Sequence, residues 1–111
     1  MKKIVAVIKP LKLDEVKEKL IEAGVTGVTV SEIRGSGKQG KDSRLFLSAH
    51  EGDLLPKMEV MVVVPDEKAE DAVRAILDSA RTDKVGDGKI FVYDVEESIR
   101  IRTGERGNIA L

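Results

Sequence analysis

Ile4-Val5-Ala6-Val7-Ile8-Lys9-Pro10 and Val60-Met61-Val62-Val63-Val64-Pro65-Asp66 follow one plan, an apolar run closed by a proline. Each run reads as a strand, because proline has no N–H to continue a ladder. After the first run, Leu13, Val16 and Leu20 recur at helical spacing, Ile21 broadens the stripe, and Gly24 is placed to stop the helix. Val28, Val30 and Ile33 then alternate with Thr29 and Ser31, which predicts a second strand ending near Arg34-Gly35. After the second run, Asp66 is expected to cap a helix with Ala69, Ala72, Val73, Ile76, Leu77 and Ala80 on its apolar face. Ile90–Val95 supplies a fourth strand.

Strand–helix–strand therefore occurs twice. The expected fold is α+β, a ferredoxin-like βαββαβ arrangement with an antiparallel sheet and both helices on one face. A sheet covered on one face should alternate apolar and polar residues, yet Ile4–Ile8 and Val60–Val64 do not. Their second face also asks for burial, so association through the open sheet face is expected. Residues 1–111 fit a single domain. The irregular stretch 35–56, with three glycines near its start, predicts a long flexible loop between strands 2 and 3 at approximately 36–55, a surface for a partner protein.

Composition narrows the function. Lys plus Arg (19) nearly balance Asp plus Glu (20), so no nucleic-acid partner is expected. The absence of cysteine excludes disulfides, thiolate catalysis and Cys-based zinc sites. No stretch resembles a signal peptide or a membrane span, which gives a cytoplasmic expectation. The lone histidine, His50, lacks the companions of a metal cluster or catalytic triad. Phe91 and Tyr93 flank Val92 as a base-stacking pair would, but packing suits them better in a chain that is not basic.

Three segments bear on ligand chemistry. Gly35-Ser36-Gly37-Lys38-Gln39-Gly40 matches G-x-G-x-x-G, but the following Lys41-Asp42-Ser43-Arg44 carries no helical stripe, so a dinucleotide fingerprint is rejected. Its glycines serve equally as a hinge or as a place for close ligand approach. Thr82-Asp83-Lys84-Val85-Gly86-Asp87-Gly88-Lys89 sets two glycines beside lysines just before a strand. Such a turn can point N–H groups at phosphate oxygens, and it can equally be an ordinary Asp-Gly turn. It is not a Walker A loop, because Asp83 and Ile90 occupy positions that need Gly and Ser or Thr. Ser98–Glu105, read as extended, sends Arg100 and Arg102 to one side, where paired guanidinium groups suit phosphate. A salt-bridged edge strand is the alternative. No carboxylate pair is placed for general acid–base work.

These residues resemble the PII nitrogen-regulatory signalling proteins. The likeness runs over nearly the whole chain. It includes Met1-Lys2-Lys3-Ile4 with Ile8-Lys9-Pro10, Gly27-Val28-Thr29-Val30, Gly35-Ser36-Gly37-Lys38-Gln39, Leu55-Pro56-Lys57 and Val63-Val64-Pro65-Asp66. Its most specific parts are Val85–Val92 and Ile99–Glu105. The resemblance implies a homotrimer with nucleotide sites in the clefts between subunits and a loop that docks on a membrane transporter or metabolic enzyme. It implies a non-enzymatic sensor of ATP and ADP, joined in many members by Mg²⁺ and 2-oxoglutarate.

Carried over by position, Gly86, Asp87, Gly88, Lys89, Arg100 and Arg102 would hold phosphates, with Gly37 and Lys38 at the loop base. Thr29 and Val63 would lie at the adenine. Gln39 would ligate Mg²⁺ and 2-oxoglutarate, and Lys57 would pair with a carboxylate of that ligand. The chain departs from the family pattern at four places, the first being a loop about one residue shorter that carries the unusual sequence Leu45-Phe46-Leu47-Ser48-Ala49-His50-Glu51-Gly52. The sole tyrosine is Tyr93, in a strand, so the loop has none to be uridylylated. Lys38 stands where arginine is usual, and Met61 where many members have glutamate. A PII-like trimer with another metabolite and another transporter partner is the alternative. A slow ATP hydrolase is a further alternative that lacks an evident base for water.

Overall fold

The computed structural model describes residues 1–37 and 54–111. The order is β1 (Lys2–Ile8), α1 (Leu13–Glu22), β2 (Thr29–Gly35), β3 (Leu55–Val64), α2 (Asp66–Ala80) and β4 (Lys89–Asp94). The strands form one sheet in the order β2-β3-β1-β4, and each neighbouring pair is antiparallel. That is the βαββαβ arrangement expected from the sequence.

One face of the sheet makes the core. Ile4, Ala6 and Ile8 of β1 and Val60, Val62 and Val64 of β3 are buried with Val16 and Leu20 of α1 and Ala72 and Ile76 of α2. Period two in the strands meets period 3.6 in the helices at this layer. α1 ends as Gly24 predicts. With φ at 87°, Gly24 lets its own N–H reach Ile21 O and the Val25 N–H reach Leu20 O, which is the paired bonding of a Schellman end. Val25 is buried behind it.

The opposite face carries the odd members of the same runs. Val5 pairs with Met61 on one side and Phe91 on the other, and Lys3 lies between Val63 and Tyr93. Among the described residues no helix covers this face. Phe91 is 46% exposed and Tyr93 50%, although the Lys3 ammonium sits 5.2 Å from the Tyr93 ring centre. The apolar runs therefore do place hydrophobic residues on both faces.

Four local expectations are corrected. Ile21 does not broaden the buried stripe, being 64% exposed, because α1 meets the core along Val16 and Leu20, with Leu13 packed beside them. Asp66 does not cap α2. Pro65 occupies that position, and Asp66 is the first helical residue, with its carboxylate 2.8 Å from the N-terminal ammonium of Met1. β3 begins at Leu55, ahead of Val60, so Leu55 and Pro56 belong to the strand and not to the loop. Pro56 is tolerated because it is the second residue of the strand, where a missing N–H costs little. Finally, Arg100 and Arg102 do not lie on an extended segment. Gly104, with φ at 74°, closes a turn in which its N–H reaches Arg100 O at 2.7 Å, and Ile99 bridges to Arg106.

Candidate ligand cleft

The link from α2 to β4 is built around one carboxylate. Asp87 accepts hydrogen bonds from Thr82 N at 2.7 Å, Asp83 N at 2.9 Å and the Thr82 hydroxyl. Lys9, just past the end of β1, adds its ammonium 3.2 Å from Asp87 Oδ1. The Thr82 hydroxyl and N–H, followed by Lys9 and the Asp83 N–H, hold the Asp87 carboxyl well below the usual carboxylate range. Asp83 has φ at 64°, a left-handed conformation that aspartate tolerates better than most residues.

Gly86 and Gly88 flank Asp87 with φ at 100° and 98°. Gly88 lies directly on β1, where any Cβ would overlap the Val7 carbonyl. From the other side, the largely buried Lys57 of β3 donates from Nζ to Gly86 O at 2.6 Å. The turn is thus fastened to β1 and to β3. Among the described residues, no hydrogen bond engages the Gly86 or Gly88 N–H.

Between this turn and the end of β2 lies a cleft of about 380 Å³, within the usual range for small-molecule sites. Its walls include Gly37, Lys57, Gly86, Gly88 and Lys89, and Phe91 forms part of its apolar side. The structure therefore brings together five residues that the sequence singled out, from three separate segments. Lys89 is exposed and makes no salt bridge among the described residues, so its ammonium is available to an anion.

The other candidates lie elsewhere. The Asp87 side chain is not part of the cleft wall and faces its internal donors. Thr29 pairs with Met61 and Val63 with Lys3, both on the open sheet face. Arg100 is engaged with Glu105 Oε1 and Ile109 O, each at 2.9 Å, and Arg102 is exposed; neither lines the cleft of its own chain. Lys38 and Gln39 fall outside the described residues, as does most of the 36–55 loop. Sequence reasoning gave no role to Lys9, although its proximity to Pro10 marks it as the point where β1 hands over to the helix. It had no signal for a contact between residues so distant in the chain.

Comparison with known proteins places this geometry in a family. The family model described as nitrogen regulatory protein P-II matches residues 1–105. The chain is 52% identical to the nitrogen regulatory protein P-II of Pasteurella multocida and 53% identical to that of Rhodospirillum rubrum, over the full length of each. It is 50% identical to nitrogen regulatory protein P-II 1 of Escherichia coli, again over the whole of both chains. A fold that repeats strand–helix–strand, a glycine turn fastened on two sides, and end-to-end likeness at half the positions agree: the chain belongs to the nitrogen regulatory protein P-II family.

Proposed function

We propose that this chain is a non-enzymatic signalling protein that binds ATP or ADP at the cleft beside Gly86–Lys89. In a homotrimer, Arg100 and Arg102 of a neighbouring copy would complete the phosphate site, and Thr29 and Val63 would lie at the adenine. The apolar open face, with Phe91 and Tyr93 half exposed, supports that association. The observation that carries the proposal is the convergence of Gly37, Gly86, Gly88 and Lys89 on one concavity, since a glycine-rich turn beside an ammonium suits an anion.

Nucleotide binding would act as a signal by shifting the populations of the segment between β2 and β3, and through it contact with an ammonium transporter or a nitrogen-metabolism enzyme. Such a shift requires that ATP and ADP differ in affinity for the loop states. 2-Oxoglutarate would engage Lys57 and Gln39. Among the described residues, no cluster of three His, Cys, Asp or Glu side chains is placed to hold a metal. By the family pattern, Mg²⁺ would rest on the phosphates and on Gln39, which lies outside the described residues.

Calorimetry with ATP, ADP and 2-oxoglutarate tests the proposal. Wild type should bind both nucleotides in roughly the micromolar range, and Lys89→Ala should weaken them about tenfold or more, as loss of a hydrogen bond to a charged group does. Phosphate release followed over hours should remain negligible. Steady turnover would instead mark a hydrolase, and heat only with a different anionic metabolite would mark another ligand.

A further inference from the structure

The turn that faces the cleft is held by a residue that does not reach the cleft. Lys9 Nζ lies 3.1 Å from Thr82 Oγ1 and 3.2 Å from Asp87 Oδ1, so one ammonium engages both members of the Thr82–Asp87 pair. Thr82 Oγ1 also accepts from Lys84 N at 3.3 Å. Asp87 collects Thr82 N and Asp83 N, which draws the chain back on itself and holds Asp83 in its left-handed conformation. Because Gly86 and Gly88 sit on either side of Asp87, fixing that carboxylate fixes the direction of the glycine N–H groups. None of Lys9, Thr82 and Asp87 lines the cleft, whereas Gly86 and Gly88 do.

We infer that Lys9 is a positioning residue for anion binding: through Asp87 and Thr82 it sets the shape of the glycine turn, and it does not touch the ligand. The inference rests on the reading of the cleft as a phosphate site. It also assigns the Asp87 carboxylate to the turn, away from the phosphates, as charge requires, because a carboxylate and a phosphate repel at contact distance. Lys57 holds the opposite side of the turn through Gly86 O, so the two lysines fasten the same peptide run from β1 and from β3.

The test uses Lys9→Met, Lys9→Arg, Thr82→Val, Asp87→Asn and the Lys9→Met/Asp87→Asn double variant in the full chain. ATP affinity is read by calorimetry, and amide exchange at Gly86 and Gly88 is read without ligand. Lys9→Met should weaken ATP tenfold or more and speed exchange at both glycines, with Lys9→Arg recovering most of each loss. The double variant should be no worse than the weaker single variant, because both act on one contact. Should Lys9→Met fail to fold, Thr82→Val loosens the same pair and should show the same two effects. Wild-type affinity in Lys9→Met, or losses that add in the double variant, would overturn the inference. If wild type itself binds no adenine nucleotide, the proposed function fails separately. Glycine exchange then still decides whether Lys9 holds the turn: faster exchange in Lys9→Met supports it, and unchanged exchange refutes it.

Discussion

Gly88 is pressed against Val7 so closely that a Cβ built on it would overlap the Val7 carbonyl oxygen and stand 2.8 Å from the carbonyl carbon. Backbone touches backbone at the place where the turn enters β4, and φ at 98° excludes most side chains independently of space. The same contact that closes the turn onto β1 gives the cleft its floor.

Gly88→Ala should therefore be costly. A positive φ and a backbone clash together predict a loss of roughly 2–4 kcal/mol in urea unfolding. Gly104→Ala is the internal comparison, since its φ of 74° is also positive but a Cβ there meets nothing within 4 Å. It should lose only about 1–2 kcal/mol. Equal losses at the two sites would show that the Val7 contact contributes nothing.

Lys57→Met keeps much of the buried stem but leaves Gly86 O without its 2.6 Å donor. Loss of a part-buried hydrogen bond beside an open cleft costs roughly 0.5–1.5 kcal/mol, so the unfolding midpoint should fall by that equivalent. Exchange of amides in 82–89 should accelerate more than exchange in α1, which a general loss of stability would not produce.

Acid should loosen the turn through Asp87. Its folded carboxyl lies below the ordinary value near 4, so its contribution is complete above that pH and declines as pH falls toward the folded value. Stability of wild type and Asp87→Asn, measured from pH 7 to pH 3, should differ by a constant amount above the ordinary carboxylate value near 4 and begin to narrow below it. A gap that stays constant over that range would exclude the carboxylate as its source.

The core predicts a contrast within the helices. Ile76→Ala, at a position 1% exposed, should cost about 2–5 kcal/mol, whereas Ile21→Ala should change stability by less than roughly 0.5 kcal/mol. Denaturant titration of the two variants checks this directly.

Ile21 also shows where the sequence could be read and where it could not. Spacing located α1, because Val16, Leu20 and the Gly24 stop are local facts of a 3.6-residue period. It could not tell which of two adjacent apolar residues meets the sheet, since that depends on how the helix lies on β1 and β3. Pro56 misled for a similar reason: a proline reads as a break, and only the pairing of Arg34 with Pro56 shows it within a strand. A period of two sets Arg100 and Arg102 on one side, and the turn closed by Gly104 breaks that period.

At the cleft, Gly86, Gly88 and Lys89 were visible because glycines beside a lysine before a strand form a local pattern. The fastening of that turn by Lys9 and Lys57 was not visible, because each contact joins residues far apart in the chain. The distance between seeing the turn and seeing its support is the distance between sequence neighbours and spatial ones.

Backbone amide chemical shifts on addition of ATP decide whether the nucleotide sits at the glycine turn. Binding at the glycine turn predicts the largest changes at Gly86, Gly88 and Lys89, with further changes at Gly37, and their loss in Lys89→Ala. Saturable ATP binding that leaves Gly86–Lys89 unshifted, or no shift anywhere at millimolar ATP, would contradict it.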